Sequence, residues 1–333
     1  MPQDDDRDPW GPDLSQEIAR LPEGRAAARL RADDPDRPGH DRPDGPDDAA
    51  EELGEIEVVP VRRQLALAIA GFAAALAAGL ILAAQTSAPD ARAPFAIVVA
   101  GVQLLFVLAW TMAVRPPAAI AIAAVSLLAG AFGDYLAVTT EPARLLPLAY
   151  VALPAGVVAL VAQMFRAADR RRAKEALGTT LALVLATMAF ASLVLLTRRP
   201  SGTQALLVCL TAAGVALVVA RVADAYFARP RIAPQVPRGA SGIVLGAMSG
   251  TLAAGALGSV LVLPFDPTKG AVLGLVSAAL AVVADLGVDF GEAGRGMAGD
   301  APTFWLARHM QGPLGAFALV SAAAYALTIF FVT

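Results

Sequence analysis

The sequence predicts an all-α membrane protein, a polytopic bundle of about nine transmembrane helices with a disordered N-terminal tail. Of the 333 residues, 57% are hydrophobic and only 17% are charged, a composition too apolar for an ordinary soluble domain. The charges are also unevenly spread, because residues 1–60 hold 18 acidic and 7 basic side chains. The rest of the chain is a succession of apolar runs close to the ~20 residues that cross a bilayer.

Three segments follow from this division. Residues 1–60 are rich in Pro, Asp and Arg, and we expect a disordered, acidic cytoplasmic tail because so little apolar surface is available for burial. Residues 61–203 contain about five N-terminal membrane helices, and residues 204–333 contain the C-terminal membrane helices. The nine predicted spans are 65–84, 94–114, 117–138, 145–165, 177–197, 204–222, 240–263, 270–290 and 312–332.

The distribution of Lys and Arg predicts the orientation, because cytoplasmic loops retain basic residues. Outside the tail, 14 basic residues fall on the side of the N-terminus and 5 on the other side. We therefore expect a multi-pass protein of the cell membrane with a cytoplasmic N-terminus and a C-terminus on the opposite side. The pair Arg198 and Arg199 is the exception, since it falls on the side poor in basic residues.

Small residues recur every four positions in the seventh span. The stripe consists of Gly242, Gly246, Gly250, Ala254 and Gly258. Such a stripe allows another helix to approach closely, so we interpret it as packing. The alternative is a functional surface on which a helix slides or a lipid chain enters.

Three carboxylates form the strongest candidate site. Asp285, Asp289 and Glu292 follow i, i+4, i+7 spacing, which places them on one helical face at the cytoplasmic end of the eighth span. Acids in a span are costly, and hard divalent ions prefer several oxygen ligands, so this face could hold Mg²⁺. The alternative is a helix end that emerges into water.

Basic residues are predicted close to these acids, in two cytoplasmic loops. The loop between spans six and seven contains Arg221, Asp224, Arg229, Arg231 and Arg238. The loop before span nine contains Arg295, Arg308 and His309. Arginine binds phosphate oxygens bidentately, so acids and arginines together predict a site for an anionic ligand at the membrane surface. The alternative is that orientation and anionic headgroups alone require these arginines.

Other chemistries are excluded or weakly indicated. One cysteine allows no internal disulfide, and two histidines cannot build a His/Cys zinc or haem site. Residues 294–299 match G-x-G-x-x-G but follow a membrane helix instead of a strand, which indicates a flexible loop. Asp134, Tyr135 and His309 are interpreted as interfacial or hydrogen-bonded residues.

Residues 204–317 resemble the phosphatidate cytidylyltransferases, the polytopic enzymes that join CTP to phosphatidate and release pyrophosphate. Where that family has S-D-T-x-A-Y, L-A-P and S-P-x-K-T, residues 221–226 read RVADAY, 232–234 read IAP and 237–241 read PRGAS. The family's G-D-x-x-E-S aligns with ADLGVD at 284–289, and H-G-G-x-x-D-R-x-D aligns with the segment around ARHMQGPLG at 307–315.

The resemblance implies a catalytic and metal-binding role for Asp285, with Asp289, Glu292 and Asp224 as nearby acids for Mg²⁺. For an enzyme of this type with relocated ligands, we expect Asp289 to share the catalytic role and Arg221, Arg238, Arg295 and Arg308 to bind phosphate. The implied partners are phosphatidate or a related anionic phospholipid and, for an active enzyme, CTP. We expect no nucleic acid, and a homodimer is an assembly that the sequence leaves open.

Several family charges are replaced in this chain. Val222 and Val288 occupy the positions of two family acids, and Glu292 stands where the family has the lysine of its K-R pair. Each lost charge at a phosphoryl-transfer site costs orders of magnitude in rate. Two hypotheses therefore stay open: an enzyme of this type with relocated ligands, or a non-catalytic lipid-binding or partner-binding protein that keeps the fold.

Overall fold

A computed structural model describes residues 59–87, 92–166, 170–300 and 303–332, without the side chains of residues 166–175. The predicted tail therefore lies almost entirely outside the described residues. Within the described segments, nine helices are long and apolar enough to cross a membrane, and no strand is formed. The predicted all-α bundle of about nine membrane helices is confirmed. All nine helices belong to one unit of the chain, Ile56–Thr333.

The helices follow one another through short connections. They are α1 (Arg63–Thr86), α2 (Ala93–Val114), α3 (Ala119–Thr139), α4 (Leu146–Arg166), α5 (Arg170–Thr197), α6 (Gly202–Tyr226), α7 (Ala240–Val260), α8 (Pro267–Met297) and α9 (Trp305–Leu327), which a π-helical turn, Thr328–Val332, extends. Successive spans alternate in direction, so the bundle has two ends. The end at which α6 finishes is called the Arg238 end, and the end at which α5 finishes is called the Arg198 end.

Local chemistry explains several helix boundaries. Arg115 ends α2 in the left-handed conformation, with φ of 48°, immediately before Pro116 and Pro117. The prolines lack backbone N–H donors, so the chain reverses instead of continuing the helix. At the start of α8, the Asp266 side chain accepts a 2.8 Å hydrogen bond from the backbone N–H of Lys269, an N-cap, and Pro267 occupies the first turn.

Three helices extend further than the sequence predicted. Helix α5 begins at Arg170 instead of residue 177, α8 continues beyond residue 290 to Met297, and α9 begins at Trp305 instead of residue 312. Hydropathy marks the part of a helix that lies in hydrocarbon, whereas backbone hydrogen bonding continues beyond it. The flexible loop predicted at 294–299 is therefore wrong for Gly294 to Met297, which are helical.

The small-residue stripe of α7 packs between α6 and α8. All five of its members are buried, and a Cβ on Gly246 would lie 2.6 Å from the Ala216 carbonyl oxygen of α6. A Cβ on Gly250 would lie 2.7 Å from the Ala278 Cβ of α8. The packing interpretation is confirmed, and this close approach of α7 helps bring the polar residues of α6 and α8 together.

Candidate functional site

Five charged side chains meet at the Arg238 end and form what we call the Arg–Asp cluster. Helix α6 supplies Arg221 and Asp224, helix α8 supplies Asp285 and Asp289, and Arg238 comes from the loop before α7. Spacings of three and four residues place both members of each helical pair on one face. The predicted loop position of Arg221 and Asp224 is wrong, because α6 runs to Tyr226 and includes both residues.

The loop between α6 and α7 folds back so that Arg238 reaches the two helices. Arg231 and Gly239 form an antiparallel β-bridge. The backbone N–H of Ile232 donates to the Arg238 carbonyl at 3.2 Å, and that of Ala240 donates to the Pro230 carbonyl at 2.9 Å. These bonds fix the backbone on both sides of Arg238, so the position of its side chain is determined by the loop.

Arg238 is fully buried and contacts all three aspartates. Its Nη1 lies 2.6 Å from Asp285 Oδ2 and 3.1 Å from Asp289 Oδ2. Its Nε lies 2.7 Å from Asp224 Oδ2, an ion pair whose atoms are not aligned for a hydrogen bond. The backbone N–H of Gly239 donates to the other oxygen, Asp224 Oδ1, at 2.9 Å.

Arg221 approaches Asp285 from the opposite side. Its Nη2 donates to Asp285 Oδ1 at 2.6 Å, and it lies 3.2 Å from Asp289 Oδ2. Asp285 thus binds one guanidinium group with each carboxylate oxygen, and its side chain is 0% exposed. Asp289 is the most accessible acid of the cluster, with 16% of its side chain exposed.

Two glycines leave the space that the cluster occupies. A Cβ on Gly312 of α9 would collide with Asp285 Oδ1 and lie 3.4 Å from Arg221 Nη2. A Cβ on Gly242 of α7 would collide with Asp224 Oδ1. Helices α7 and α9 therefore close the cluster from two sides with backbone instead of side chains, which excludes water from Asp285.

Asp285 lies far along α8 from its start. The distance from Pro267 is ~27 Å along the helix axis at a rise of ~1.5 Å per residue, which is close to the ~30 Å thickness of a hydrocarbon layer. Removing ions from water costs several kcal/mol each, which close pairing and hydrogen bonds must offset. The pairing among α6, α8 and the loop supplies that compensation.

Some donors of the cluster have no partner among the described residues. Arg221 Nε and Arg238 Nη2 are buried without a hydrogen-bond acceptor in the part of the chain that the structure describes. Buried N–H groups are normally satisfied by protein or by ordered water. The cluster thus retains donor capacity for water or for an oxygen of an anionic ligand.

The remaining predicted site residues lie outside the cluster. Glu292 and Arg308 form an ion pair with each other, between α8 and α9. Arg295 lies in the last turn of α8, and its electrostatic partner is Asp300. The loop predicted for Arg295, Arg308 and His309 is wrong, since all three are helical. The ring of His309 packs edge-on against Trp305 at 5.4 Å between centroids.

The acids do not fit a divalent-cation site in this arrangement. Asp224, Asp285 and Asp289 are each bound by at least one guanidinium group, and Glu292 is bound by Arg308. Among the described residues, no group of three or more His, Cys, Asp or Glu is arranged to hold a metal ion. Magnesium binding stays a prediction from the sequence.

A cavity of about 490 Å³ opens beside the cluster. Its polar lining includes Arg63, Arg229 and Arg231, together with Asp224. Arg231 Nη1 donates to the Val59 carbonyl at 2.5 Å, and the Arg63 guanidinium lies 5.6 Å from the centroid of the Tyr226 ring. The volume falls within the roughly 300–1,000 Å³ typical of ligand pockets.

A second polar contact lies within the bundle, between residues that the sequence indicated only weakly. Gln103 of α2 donates to Asp134 Oδ1 of α3 at 3.1 Å and to the Thr187 carbonyl of α5 at 3.2 Å. The interpretation of Asp134 as a hydrogen-bonded residue is confirmed. Its partner Gln103 was not identified, although a glutamine in an apolar run is the signal that would have found it.

Comparisons of this chain with family models, with curated proteins and with solved structures found no match. The resemblance of residues 204–317 to phosphatidate cytidylyltransferases, with CTP and phosphatidate as its implied partners, therefore stays a prediction, and a homodimer stays open. The structure supports the coarser statement that this is a multi-pass membrane protein.

Proposed function

We propose that this chain is a cytidylyltransferase-like integral membrane protein that binds an anionic phospholipid such as phosphatidate without transferring a nucleotide to it. In this proposal the Arg–Asp cluster occupies the place where the enzymes of that type keep acids for metal ions. The cluster joins α6, α8 and the loop before α7, and the headgroup binds in the neighbouring cavity.

The pairing of Arg238 with three aspartates carries the proposal. Mg²⁺ needs oxygen ligands arranged around it at ~2.1 Å. Here Asp285 directs both oxygens at guanidinium groups only 2.6 Å away. A metal ion would have to displace Arg221 or Arg238 from buried ion pairs, and truncating or unpairing such a partner typically costs about 3–5 kcal/mol.

The basic lining of the cavity beside the cluster supports the lipid ligand. Arg63, Arg229 and Arg231 are three guanidinium groups around one cavity, against the single acid Asp224. Asp224 already binds Arg238 and the Gly239 N–H, so it does not neutralise them. A phosphate headgroup matches this excess of donors, and a position at the end of an apolar helix, α6, is one that a lipid headgroup can reach.

An activity assay tests the absence of turnover. Purified full-length protein is given labelled CTP, phosphatidate and Mg²⁺, and CDP-diacylglycerol is measured. We expect no product above a sample without protein. Product that disappears in an Asp285→Ala protein shown to be folded, and persists in the exposed-acid control Asp300→Ala, would establish the enzyme instead.

A binding assay tests the lipid. The full chain is mixed with phosphatidylcholine vesicles that contain or lack phosphatidate, and bound lipid is quantified after separation. We expect Arg229→Gln/Arg231→Gln to weaken phosphatidate binding by about tenfold or more, because charge-assisted contacts are lost. Arg115→Gln, an exposed arginine outside the cavity, should leave binding unchanged. Equal loss in Arg115→Gln would contradict the proposal.

A further inference from the structure

A second cavity lies at the Arg198 end, far along the bundle from the Arg–Asp cluster. It measures about 360 Å³. It is formed where the start of α2, the α3–α4 connection and the α5–α6 connection meet. Its lining residues are Arg92, Glu141, Pro142, Ala143, Arg144, Arg198, Arg199 and Pro200.

The charge of this cavity is unusual for its side of the membrane. Outside the tail, this side has only 5 basic residues, and four of them line this one cavity. Positively charged residues are depleted from the side that faces away from the cytoplasm. Convergence of nearly all of them on a single cavity indicates a local requirement for positive charge.

Neutral groups of the fold help to orient two of these arginines. Arg198 Nη1 donates to the Ala137 carbonyl at 2.7 Å. Arg199 Nη2 donates to the Ala143 carbonyl at 2.9 Å and to the Tyr325 hydroxyl at 3.2 Å. Carbonyl and hydroxyl oxygens orient a guanidinium group without cancelling its charge.

Glu141 provides only partial compensation. It is the one acidic residue that lines the cavity among the described residues, and it forms ion pairs with Arg198 and, at 3.9 Å, with Arg92. Its side chain is 75% exposed, so water weakens both interactions. Four guanidinium groups thus face one solvated carboxylate.

Donors in the cavity wall lack acceptors. The Nε atoms of Arg92, Arg198 and Arg199 are buried and have no hydrogen-bond partner among the described residues. The Arg198 side chain is only 2% exposed. No acceptor in the described part of the chain compensates the charge of these three guanidinium groups at Nε, so they keep the cavity wall positive, which favours the oxygens of a phosphate group.

We infer that this cavity binds the phosphate group of an anionic ligand, with a membrane lipid as the expected source. Arg144 is exposed at the rim, and the next two residues, Leu145 and Leu146, are exposed large apolar side chains. In this arrangement the arginine can contact a charged lipid headgroup, and the adjacent leucines can contact the beginning of the acyl chains. The site is separate from the lipid cavity at the Arg238 end.

The test measures equilibrium binding to the detergent-solubilised full chain by calorimetry. All proteins in this test carry the double substitution Arg229→Gln/Arg231→Gln, which removes two arginines from the cavity at the Arg238 end. The probes are dioctanoyl phosphatidate, dioctanoyl phosphatidylcholine and inorganic phosphate. The variants are Arg144→Gln and Arg92→Gln, which avoid the buried Arg198, and the matched control is Lys269→Gln, the fifth basic residue of this side.

We expect saturable binding of phosphatidate that each cavity variant weakens by about tenfold and that the control changes less than twofold. If phosphatidate binds and inorganic phosphate does not, the ligand is a lipid. If both bind, the site also accepts soluble phosphate compounds. No saturable binding of either phosphate probe, equally tight binding of phosphatidylcholine, or equal weakening by Lys269→Gln would overturn the inference. Weakening by Arg92→Gln and Arg144→Gln, but not by Lys269→Gln, assigns the binding to this cavity instead of to the lipid cavity at the Arg238 end.

Discussion

Arg238 Nη1 lies 2.6 Å from Asp285 Oδ2, although the two residues are separated by 47 positions and by the whole of α7. The contact joins the loop that enters α7 to a buried turn of α8. Arg221 of α6 binds the other oxygen of Asp285, so one carboxylate ties three parts of the chain together. The cluster therefore fixes the relative positions of α6, α7 and α8.

Neutralising Asp285 should destabilise the protein strongly. Asp285→Asn leaves two buried guanidinium groups with one fewer negative partner, and breaking a buried ion pair costs about 3–5 kcal/mol. We expect the free energy of unfolding in mixed micelles to fall by about this amount. Asp300→Asn, an exposed acid at the same end, should change it by less than about 0.5 kcal/mol. Similar values for the two variants would show that the two arginines do not need the Asp285 carboxylate in the folded protein.

Adding a single methyl group at Gly312 should disturb the cluster without changing any charge. The Cβ would collide with Asp285 Oδ1, and overpacking a tight site costs about 1–3 kcal/mol. Gly315 lies one turn further along α9, where a Cβ would come no closer than 4.0 Å to Trp110. We expect Gly312→Ala to lower the unfolding free energy and Gly315→Ala to leave it equal or raise it. The reverse order would contradict the close packing of α9 against Asp285.

The Glu292–Arg308 pair should contribute much less than the cluster. Its side chains are 24% and 28% exposed, and partly solvated pairs typically contribute about 0.2–1 kcal/mol. A double-mutant cycle with Glu292→Gln and Arg308→Gln isolates the coupling energy. A coupling above about 2 kcal/mol would mean that this pair is functionally part of the buried network.

Cysteine labelling can test the predicted orientation. Cys209, the single cysteine of the chain, is fully buried in α6, so it should give no background with a membrane-impermeant maleimide. We expect Lys269→Cys to react in intact spheroplasts, and Asp300→Cys to react only after permeabilisation. The opposite pattern would place the N-terminus outside and overturn the orientation derived from the basic residues.

The predicted spans were accurate where burial in hydrocarbon determines residue type. Most observed helix ends lie within a few residues of the predicted ones. The exceptions are the start of α5, the end of α8 and the start of α9, which carry Arg170, Arg295 and Arg308. Charged residues end a hydropathy signal but do not end a helix. For the same reason, Arg221 and Asp224 were predicted in a loop although they lie in the last turns of α6.

The candidate site was predicted in part. Asp224, Asp285, Asp289, Arg221 and Arg238 were selected as charges at one side of the membrane, and the structure brings all five together. Glu292 and Arg308 were assigned to the same site but pair with each other. Helical spacing places Glu292 on the face of Asp285, yet a neighbouring helix decides which partner each acid meets.

The sequence by itself determined the membrane class, the approximate spans and the side on which most charges lie, because solvation in water or hydrocarbon acts on each segment separately. The tertiary structure decided which charges pair, that Gly242 and Gly312 leave room for them, and that Arg92 and Arg144 join Arg198 and Arg199 around one cavity. These contacts depend on helix rotation and on distances of a few ångströms between segments far apart in the chain. Such distances are set by the packing of all nine described helices together.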